Sequence, residues 1–376
     1  MQDLNFKMGR ISVLITIAFL LASCVAPAPM TLTSTPLVAT PELPSIVVST
    51  TPTPAKATSL PVLDTNTPVG CLTCSTETAT MTTPIPVTAT FQAYLSPVPS
   101  IDSSIISASN QVCPPDVSFC ILDGHFLMQR PISSDYNESV DNTYRYGTTQ
   151  LGKREPHHGV EFPNQTGTPV LAAADGIVVF AGNDKQVALA WVPDFYGNVV
   201  VIAHQFPSLS QLVFSLYGHL SAFNVSVGQQ VKVGDQIGQV GSTGKAIGSH
   251  LHFEVRLGNN DYLSNRNPEL WLVPLDDTGV LAGRIESING NMLSGIINVQ
   301  RINHGVLNSH SVTSLVTYDT REIQPVNGDD AWRENFAAGE LPLGDYRLSM
   351  VYNGAVLEQV VQILPGKLTF VRFVIK

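Results

Sequence analysis

The stretch His250-Leu251-His252-Phe253-Glu254 decides how the rest of this chain is interpreted. Apolar and polar residues alternate along it, and this alternation predicts a β-strand. Residues two positions apart on a strand point to the same side of a sheet, so the imidazoles of His250 and His252 project together. Two imidazoles on one side of a strand indicate a metal site.

A second pair of ligand-type side chains, His157 and Glu161, lies upstream in PHHGVE at residues 156–161. The proline, the glycine and the β-branched valine disfavour a helix there, and in an extended segment positions 157 and 161 share a face. Zinc hydrolases hold the ion with three protein ligands and leave one position for water. His157, Glu161 and His252 can fill those three positions, which predicts a Zn²⁺ site.

A zinc-bound water has a pKa lowered toward neutrality, and a nearby basic group is then useful for moving its proton. His250 and His219, the second within YGHLS at residues 217–221, are the candidates for that role. The other histidines are interpreted as surface or hydrogen-bonded structural residues: His125, His158, His204, His304 and His310.

The composition of the 376-residue chain narrows the class of protein. Its formal net charge is -10 and no basic patch is visible, which argues against a nucleic-acid partner. Only 13% of the residues are charged, whereas Pro, Thr, Ser and Gly are plentiful. This balance favours β structure and linkers over long solvated helices.

The N-terminus has the pattern of an export signal. Two basic residues precede an apolar run at residues 11–22, which is too short to remain as a membrane-spanning helix. The run ends in LASC at residues 21–24, which resembles the bacterial lipobox; a plain signal peptide with an incidental cysteine is the alternative. We expect residues 1–24 to be a lipoprotein signal and Cys24 to be lipidated. The exported protein would then be anchored to a membrane and face the cell envelope or the extracellular side.

Residues 25–112 are dominated by Thr, Pro, Ser, Ala and Val and carry almost no charge. Such a segment cannot bury enough apolar area to offset its ordering entropy, and its prolines favour extended conformations. We predict a disordered tether, with a mucin-like binding tract as the alternative.

The remaining cysteines form two local pairs, Cys71 with Cys74 and Cys113 with Cys120. Exported proteins occupy compartments where disulfides persist, so two short-range bridges are the default expectation. The first pair can also be two free thiols, but a zinc site there lacks further ligands.

Short runs of β-forming residues, separated by glycines, occupy residues 113–275, and a second set occupies residues 280–376. We therefore predict an all-β protein with a catalytic domain at 113–275 and a β-sandwich at 280–376. The second region resembles the carboxypeptidase regulatory-like or prealbumin-like modules through its turn LPLGDY at residues 341–346 and its terminal strand.

Residues 125–275 resemble the lysostaphin/LytM-type zinc metalloendopeptidases of bacterial cell walls. The matching motifs are HHGVE at 157–161, GTPVLAAADG at 167–176, YGHLS at 217–221, the stretch 227–256 that ends in HLHFEVR, and NPELWL at 267–272. Together these motifs are highly specific. The resemblance implies an antiparallel β-sheet core similar to the lipoyl and biotinyl hairpin barrel, and peptidoglycan peptides as the substrate.

Carried over by position, the resemblance implies that His157, Glu161 and His252 are zinc ligands. It implies that His219 and His250 are the catalytic pair, assisting the water and the tetrahedral oxyanion. The family usually has Asp where this chain has Glu161; Glu is an acceptable zinc ligand, so we expect zinc to bind through a backbone adjustment or another carboxylate mode. Three further residues are candidate substrate contacts, namely Tyr217, Ser242 and Thr243.

Three functions follow from these observations. The first is a lipid-anchored zinc endopeptidase, and the second is a non-catalytic module that binds peptidoglycan or activates an amidase. The third is a structural tether whose zinc site only stabilises the fold. Degenerate relatives usually lose several site residues, whereas here only one is altered. A structural zinc site tends to be closed by four protein ligands, so three ligands plus two spare histidines favour the enzyme.

Overall fold

The structure is a computed structural model that describes residues 113–114, 116–318 and 324–376. The predicted lipoprotein signal with Cys24, the predicted tether and the pair Cys71 and Cys74 lie outside the described residues. Among the described residues, no helix is long and apolar enough to cross a membrane. The predicted bridge between Cys113 and Cys120 is present.

The region that carries the predicted motifs consists of short strands. They are β1 (Phe119–Leu122), β2 (Val160–Pro163), β3 (Pro169–Leu171), β4 (Gly176–Asn183), β5 (Asn198–His204), β6 (Val213–Gly218), β7 (Ala222–Phe223), β8 (Gln230–Val231), β9 (Gln236–Gln239), β10 (His250–Leu257) and β11 (Asn265–Arg266). Two 3-10 turns flank β11: Tyr262–Ser264 precedes it and Pro268–Leu270 follows it. Strands β2, β4, β5, β6, β8, β10 and β11 form one sheet, and β3, β9 and β7 form a small second one.

Alternation along the central strands places apolar residues on two sides of the large sheet. Val200 and Ile202 of β5 face one core, whereas Val199 and Val201 face a second core that contains Tyr196. Every residue of β6 is buried, as expected for a central strand. The apolar residues of β10 join the first core, so its histidines project to the other side.

The C-terminal part of the chain forms a further β domain, called here the C-terminal β domain. Its strands are β12 (Thr278–Ser287), β13 (Ile296–Asn303), β14 (Val306–Val316), β15 (Phe336–Pro342), β16 (Gly344–Tyr352), β17 (Ala355–Ile363) and β18 (Leu368–Ile375). Two four-stranded sheets result, in the orders β1-β18-β12-β15 and β14-β13-β16-β17, and residues from both share one core. The all-β prediction is confirmed, while the resemblance to carboxypeptidase regulatory-like modules stays a prediction.

Strand β1 requires a correction to the predicted domain limits. Although it lies within the range 113–275 assigned to the catalytic domain, it pairs antiparallel with β18, with Phe119 opposite Val371. This pairing buries Cys120 and Leu122 against the edge of the C-terminal sheet. Cys120 and Leu122 belong to a hydrophobic core that also contains Trp271 of the motif-bearing region, which is 1% exposed. The two regions therefore share apolar packing.

Candidate metal centre

Strand register brings two of the predicted ligands side by side. In the antiparallel pair β2 and β10, Glu161 lies directly opposite His252. On the other side of β10, Gly218 at the end of β6 lies opposite His252. Directly opposed residues on neighbouring strands have Cβ atoms about 4.5–5.5 Å apart, close enough for their side chains to reach one atom.

His157 precedes β2 and reaches the same place through a tight approach of the main chain. A Cβ atom added at Gly159 would lie 2.4 Å from the carbonyl oxygen of Phe253 and 2.9 Å from the imidazole of His252. No side chain fits there, which explains why glycine stands between the two ligands of HHGVE.

Three ligand atoms meet at this position. His157 Nε2 and His252 Nδ1 are 3.4 Å apart, and Glu161 Oε1 lies 3.0 Å from the first and 3.2 Å from the second. A tetrahedral zinc ion with ligands at about 2.0–2.1 Å separates its ligand atoms by roughly 3.3 Å. Within the described residues, these three are the group whose atoms lie close enough to hold a metal ion. The three residues, Glu161 included, therefore fit zinc.

The second nitrogen of each imidazole is bound elsewhere, which leaves the first nitrogen available. His157 Nδ1 donates to the carbonyl oxygen of Tyr144 at 2.7 Å, and the two rings stack at 4.0 Å. His252 Nε2 donates to Glu254 Oε1 at 3.1 Å. Such outer partners orient the imidazole and select its tautomer.

Glu254 and Arg256 continue the polar row of β10 beneath the site, and both are fully buried. Arg256 Nε donates to Glu254 Oε2 at 2.8 Å, and the hydroxyl of Tyr196 donates to Oε1. Burial alone would raise the pKa of Glu254, but Arg256 and His252 outweigh it and lower the pKa to about 2. Glu254 is thus held as an anion below His252.

The electrostatics of the ligand cluster favour positive charge. Burial would lower the pKa of His252, but the carboxylates of Glu161 and Glu254 raise it to about 9. Burial would raise the pKa of Glu161, but His252 together with the neighbouring imidazoles lowers it well below its usual value. The negative carboxylates that stabilise a charged His252 would also stabilise a metal cation bound between these side chains.

His219 and His250 lie beside the ligands, as the sequence predicted. The two rings are in edge contact at 4.9 Å, and His219 is 5.6 Å from the ring of His252. His219 Nδ1 donates to the carbonyl oxygen of Thr243 at 2.8 Å, and burial with the nearby His252 lowers its pKa to about 3. His250 Nε2 lies 2.8 Å from Glu161 Oε2.

Two of the three predicted substrate contacts are used inside the fold. Tyr217 is 0% exposed, and its hydroxyl accepts from the backbone N–H of Ala173 at 2.8 Å, so the prediction that it contacts substrate is wrong. The hydroxyl of Thr243 accepts from Asn198 N and donates to the carbonyl oxygen of Leu220. Ser242 is exposed, so it stays a candidate.

The remaining histidines lie where structural or surface residues are expected. His158 is buried and stacks on Tyr262, and burial lowers its pKa to about 4. His204 lies 2.7 Å from the hydroxyl of Ser215, and His125 lies 2.9 Å from Asp329. The other two, His304 and His310, are exposed.

Sequence reasoning missed the outer partners of the site. Glu254 and Arg256 share the face of His250 and His252 by strand alternation, so that signal was available. Tyr144 and Tyr196 lie in segments without regular periodicity, and no local pattern marks them.

Comparisons with known proteins find relatives over the region that holds these residues. Residues 155–264 match the model of Peptidase family M23. The chain is 38% identical over 100 residues to the peptidoglycan DD-endopeptidase ShyA of Vibrio cholerae, covering 27% of this chain and 20% of that protein. It is 34% identical over 160 residues to the glycyl-glycine endopeptidase ALE-1 of Staphylococcus capitis, covering 42% and 40%.

Among solved structures, the catalytic domain of lysostaphin from Staphylococcus simulans is 32% identical, with a TM-score of 0.27, and the match covers 33% of this chain and 86% of that chain. The chain spans between one fifth and two fifths of the length of these curated relatives.

Proposed function

We propose that this chain, whose residues 155–264 match the model of Peptidase family M23, is a zinc metalloendopeptidase that hydrolyses peptide bonds in bacterial peptidoglycan. One observation carries the proposal: three ligand atoms converge at 3.0–3.4 Å from one another, with two further histidines beside them. Three protein ligands leave a position open, which is the arrangement of catalytic zinc sites.

His157, Glu161 and His252 would hold the ion, which supplies a water of lowered pKa and polarises the carbonyl of the scissile bond when it is bound. Glu254 and Tyr144 keep the two imidazoles in the tautomers that present Nε2 of His157 and Nδ1 of His252. The ligand set is therefore preorganised by its neighbours.

His219 is suited to proton transfer. Its Nδ1–H donates to Thr243, which leaves Nε2 with a lone pair, and its lowered pKa keeps the ring neutral at physiological pH. Nε2 can then accept a proton from the attacking water and return it to the leaving amine. His250 has its Nδ1 3.1 Å from the carbonyl oxygen of Gly248 and its Nε2 2.8 Å from Glu161 Oε2, and we assign to its Nε2 the donation to the oxygen that gains negative charge once Glu161 holds the ion.

The substrate class is proposed from the relatives. ShyA is named a peptidoglycan DD-endopeptidase and ALE-1 a glycyl-glycine endopeptidase, so the two names designate different bonds. The proposal therefore names peptidoglycan peptides and leaves the bond to be identified. Ser242, exposed beside Thr243, remains a proposed substrate contact whose replacement by Ala should raise KM.

Export and attachment through a lipidated Cys24 are proposed from the sequence pattern alone. Both agree with a substrate in the cell envelope. A Cys24→Ser variant should move from the membrane fraction to the soluble fraction on cell fractionation, and retention in the membrane would contradict the lipid anchor.

The proposed activity is tested by release of muropeptides from purified peptidoglycan, with and without zinc. The His219→Ala variant should keep its zinc and lose at least about 100-fold in rate, because it removes the proposed base. His304→Ala, which removes an exposed histidine far from the ligands in sequence, is the matched control and should not change the rate. Mass analysis of the fragments identifies the bond.

If the folded, zinc-loaded protein releases nothing from walls of several chemistries, the endopeptidase proposal is wrong. Retained binding to peptidoglycan would then favour the non-catalytic or amidase-activating function.

A further inference from the structure

Residues 140–148, called here the bracing segment, contact two of the three ligands through the main chain. The N–H of Asp141 donates to the carbonyl oxygen of Glu161 at 2.9 Å. The carbonyl oxygen of Tyr144 accepts from His157 Nδ1 at 2.7 Å. The conformation of this segment therefore affects where both ligands lie.

The bracing segment has no regular structure of its own to hold it. None of residues 129–159 is in a helix or strand. A loop that must keep two ligands within a few tenths of an ångström of their places needs support from a rigid element. That support comes from the C-terminal β domain, at two points.

The first point is Glu340 on β15. One of its carboxylate oxygens accepts from the N–H of Val140 at 3.0 Å, one residue before the contact with Glu161. The same oxygen is paired with Arg130, whose guanidinium also donates to the carbonyl oxygen of Glu138 at 3.2 Å. The carboxylate thus holds the start of the bracing segment directly and through an arginine.

The second point is Gly339, the neighbour of Glu340 on β15, which contacts Glu269 in the 3-10 turn Pro268–Leu270. Glu269, only 1% exposed, pairs with Arg145 and accepts from the N–H of Gly339 at 2.5 Å. Arg145 is the neighbour of Tyr144, which holds the imidazole of His157. A Cβ atom at position 339 would lie 2.9 Å from the Glu269 carboxylate, so an added side chain would displace that carboxylate.

The backbone of β15 is distorted where these two points lie. The pairing of β12 with β15 shifts register between Gly279 and Leu281, which leaves Gly339 and Glu340 in a bulge. Glu340 has a φ of 59°, a left-handed conformation that a residue with a side chain rarely adopts. Bulges re-aim side chains and occur next to active sites. Here the distortion coincides with the residue that reaches the bracing segment.

We propose that the C-terminal β domain positions the metal ligands through the bracing segment, with two positioning residues: its own Glu340, and Glu269 of the preceding 3-10 turn, which its Gly339 contacts. The inference rests on the proposed metal site. It assigns a role to a domain in which the sequence shows no chemical constellation. The domain is then part of the metal centre's support rather than only a cap or a binding module.

The test compares two Glu-to-Gln variants in the C-terminal β domain. Glu340→Gln breaks the pair with Arg130, while Glu286→Gln breaks the pair of Glu286 with Arg372, a similar buried ion pair that does not touch the bracing segment. The zinc dissociation constant of each intact protein is measured by competition with a chelator. Thermal unfolding of the metal-free proteins is measured alongside.

We expect Glu340→Gln to weaken zinc binding about tenfold, as loss of an outer support typically does, and Glu286→Gln to change it less than twofold. If both variants lose thermal stability but only Glu340→Gln loses zinc affinity, the loss of affinity reflects the positioning of the ligands and not a general loss of stability. Equal dissociation constants for the two variants would overturn the proposal.

If Glu340→Gln does not fold, Gly339→Ala decides. Its added methyl disturbs the Glu269 contact without removing a charge, and it should weaken zinc binding to a similar extent. An unchanged dissociation constant in that variant would overturn the proposal. Because the readout is metal affinity, a protein that binds zinc but cleaves no peptidoglycan would contradict the proposed activity and leave this inference standing.

Discussion

Two regions of this molecule bury glutamates: the metal-ligand end of β10, around Glu254, and the corner of the C-terminal β domain around Glu334. Burial raises the pKa of a carboxyl group in both places. Beside β10, Arg256 and His252 outweigh burial and bring the pKa of Glu254 to about 2. At the other corner Asp329 adds to burial, and the pKa of Glu334 rises to about 8.

Each carboxyl group accepts a hydrogen bond from a tyrosine hydroxyl, so this bond does not account for the difference between the two pKa values. Tyr196 donates its hydroxyl to Glu254, and Tyr318 donates to Glu334 at 2.9 Å. The groups that shift the pKa of Glu254 most include two cations, Arg256 and His252. The groups that shift the pKa of Glu334 most include no cation. The sign of the neighbouring charge therefore distinguishes Glu254, which is held as an anion, from Glu334, which is held protonated. Burial alone does not distinguish them.

The largest expected effect is on metal binding when each region loses one acid. Glu161→Gln removes the anionic ligand and should raise the zinc dissociation constant by on the order of 1,000-fold, beyond the 10–100-fold that outer residues cost. Glu334→Gln, the matched variant in the other region, should leave it within twofold. Isothermal titration with zinc at pH 7 measures both, and equal losses would break the comparison.

The second effect concerns the buried anion beneath His252. Glu254→Gln should weaken zinc binding by about 10–100-fold, because the imidazole loses its charged partner. It should also destabilise the protein by about 3–5 kcal/mol, because Arg256 is left buried without its counter-ion. Chemical denaturation of the metal-free variant gives the second quantity. A stable variant with normal zinc affinity would show that Glu254 does not support the site.

The cluster proposed to hold the metal could be predicted because local patterns place its residues together. Alternation along β10 aligns His250 with His252, and the spacing of His157 and Glu161 repeats it in an extended segment. The same rule contradicts the prediction for Tyr217, which pairs across the sheet with Phe253 on the apolar side of β10. The alternation of side chains along a strand, applied to every residue of YGHLS, would have placed Tyr217 on the apolar side and corrected the prediction.

The supports of the site were not predictable in this way. Arg130 and Glu340 are separated by 210 residues in the sequence, and β1 pairs with β18 at the far end of the chain. Local periodicity carries no information about which distant segment a strand or an ion pair selects. The bulge at Glu340 is likewise a tertiary feature, since nothing in LPLGDY or its flanks requires a left-handed residue there.

The third effect is a pH dependence specific to the structural acid. Glu334 has an ordinary pKa of 4.5 and a folded pKa of about 8, so the folded state binds its proton more tightly. Its stabilising contribution is complete below pH 4.5 and is lost as the pH rises through 8, with each pKa unit worth about 1.4 kcal/mol. The wild type should therefore lose stability relative to Glu334→Gln between pH 5.5 and pH 8.5 in urea denaturation. Parallel pH profiles would show that Glu334 is not protonated in the fold.

The smallest expected effect comes from shortening the ligand without removing its charge. In Glu161→Asp the carboxylate keeps its attraction for the cation, but it is one methylene further from His157 Nε2 and His252 Nδ1, which Glu161 Oε1 approaches at 3.0 and 3.2 Å. It also withdraws from His250, which lies 2.8 Å from Oε2. Zinc affinity should fall by no more than about tenfold, because aspartate is itself a competent ligand. A loss as large as that of Glu161→Gln would mean that reach, rather than charge, decides this site, and chelator competition on the two variants distinguishes the cases.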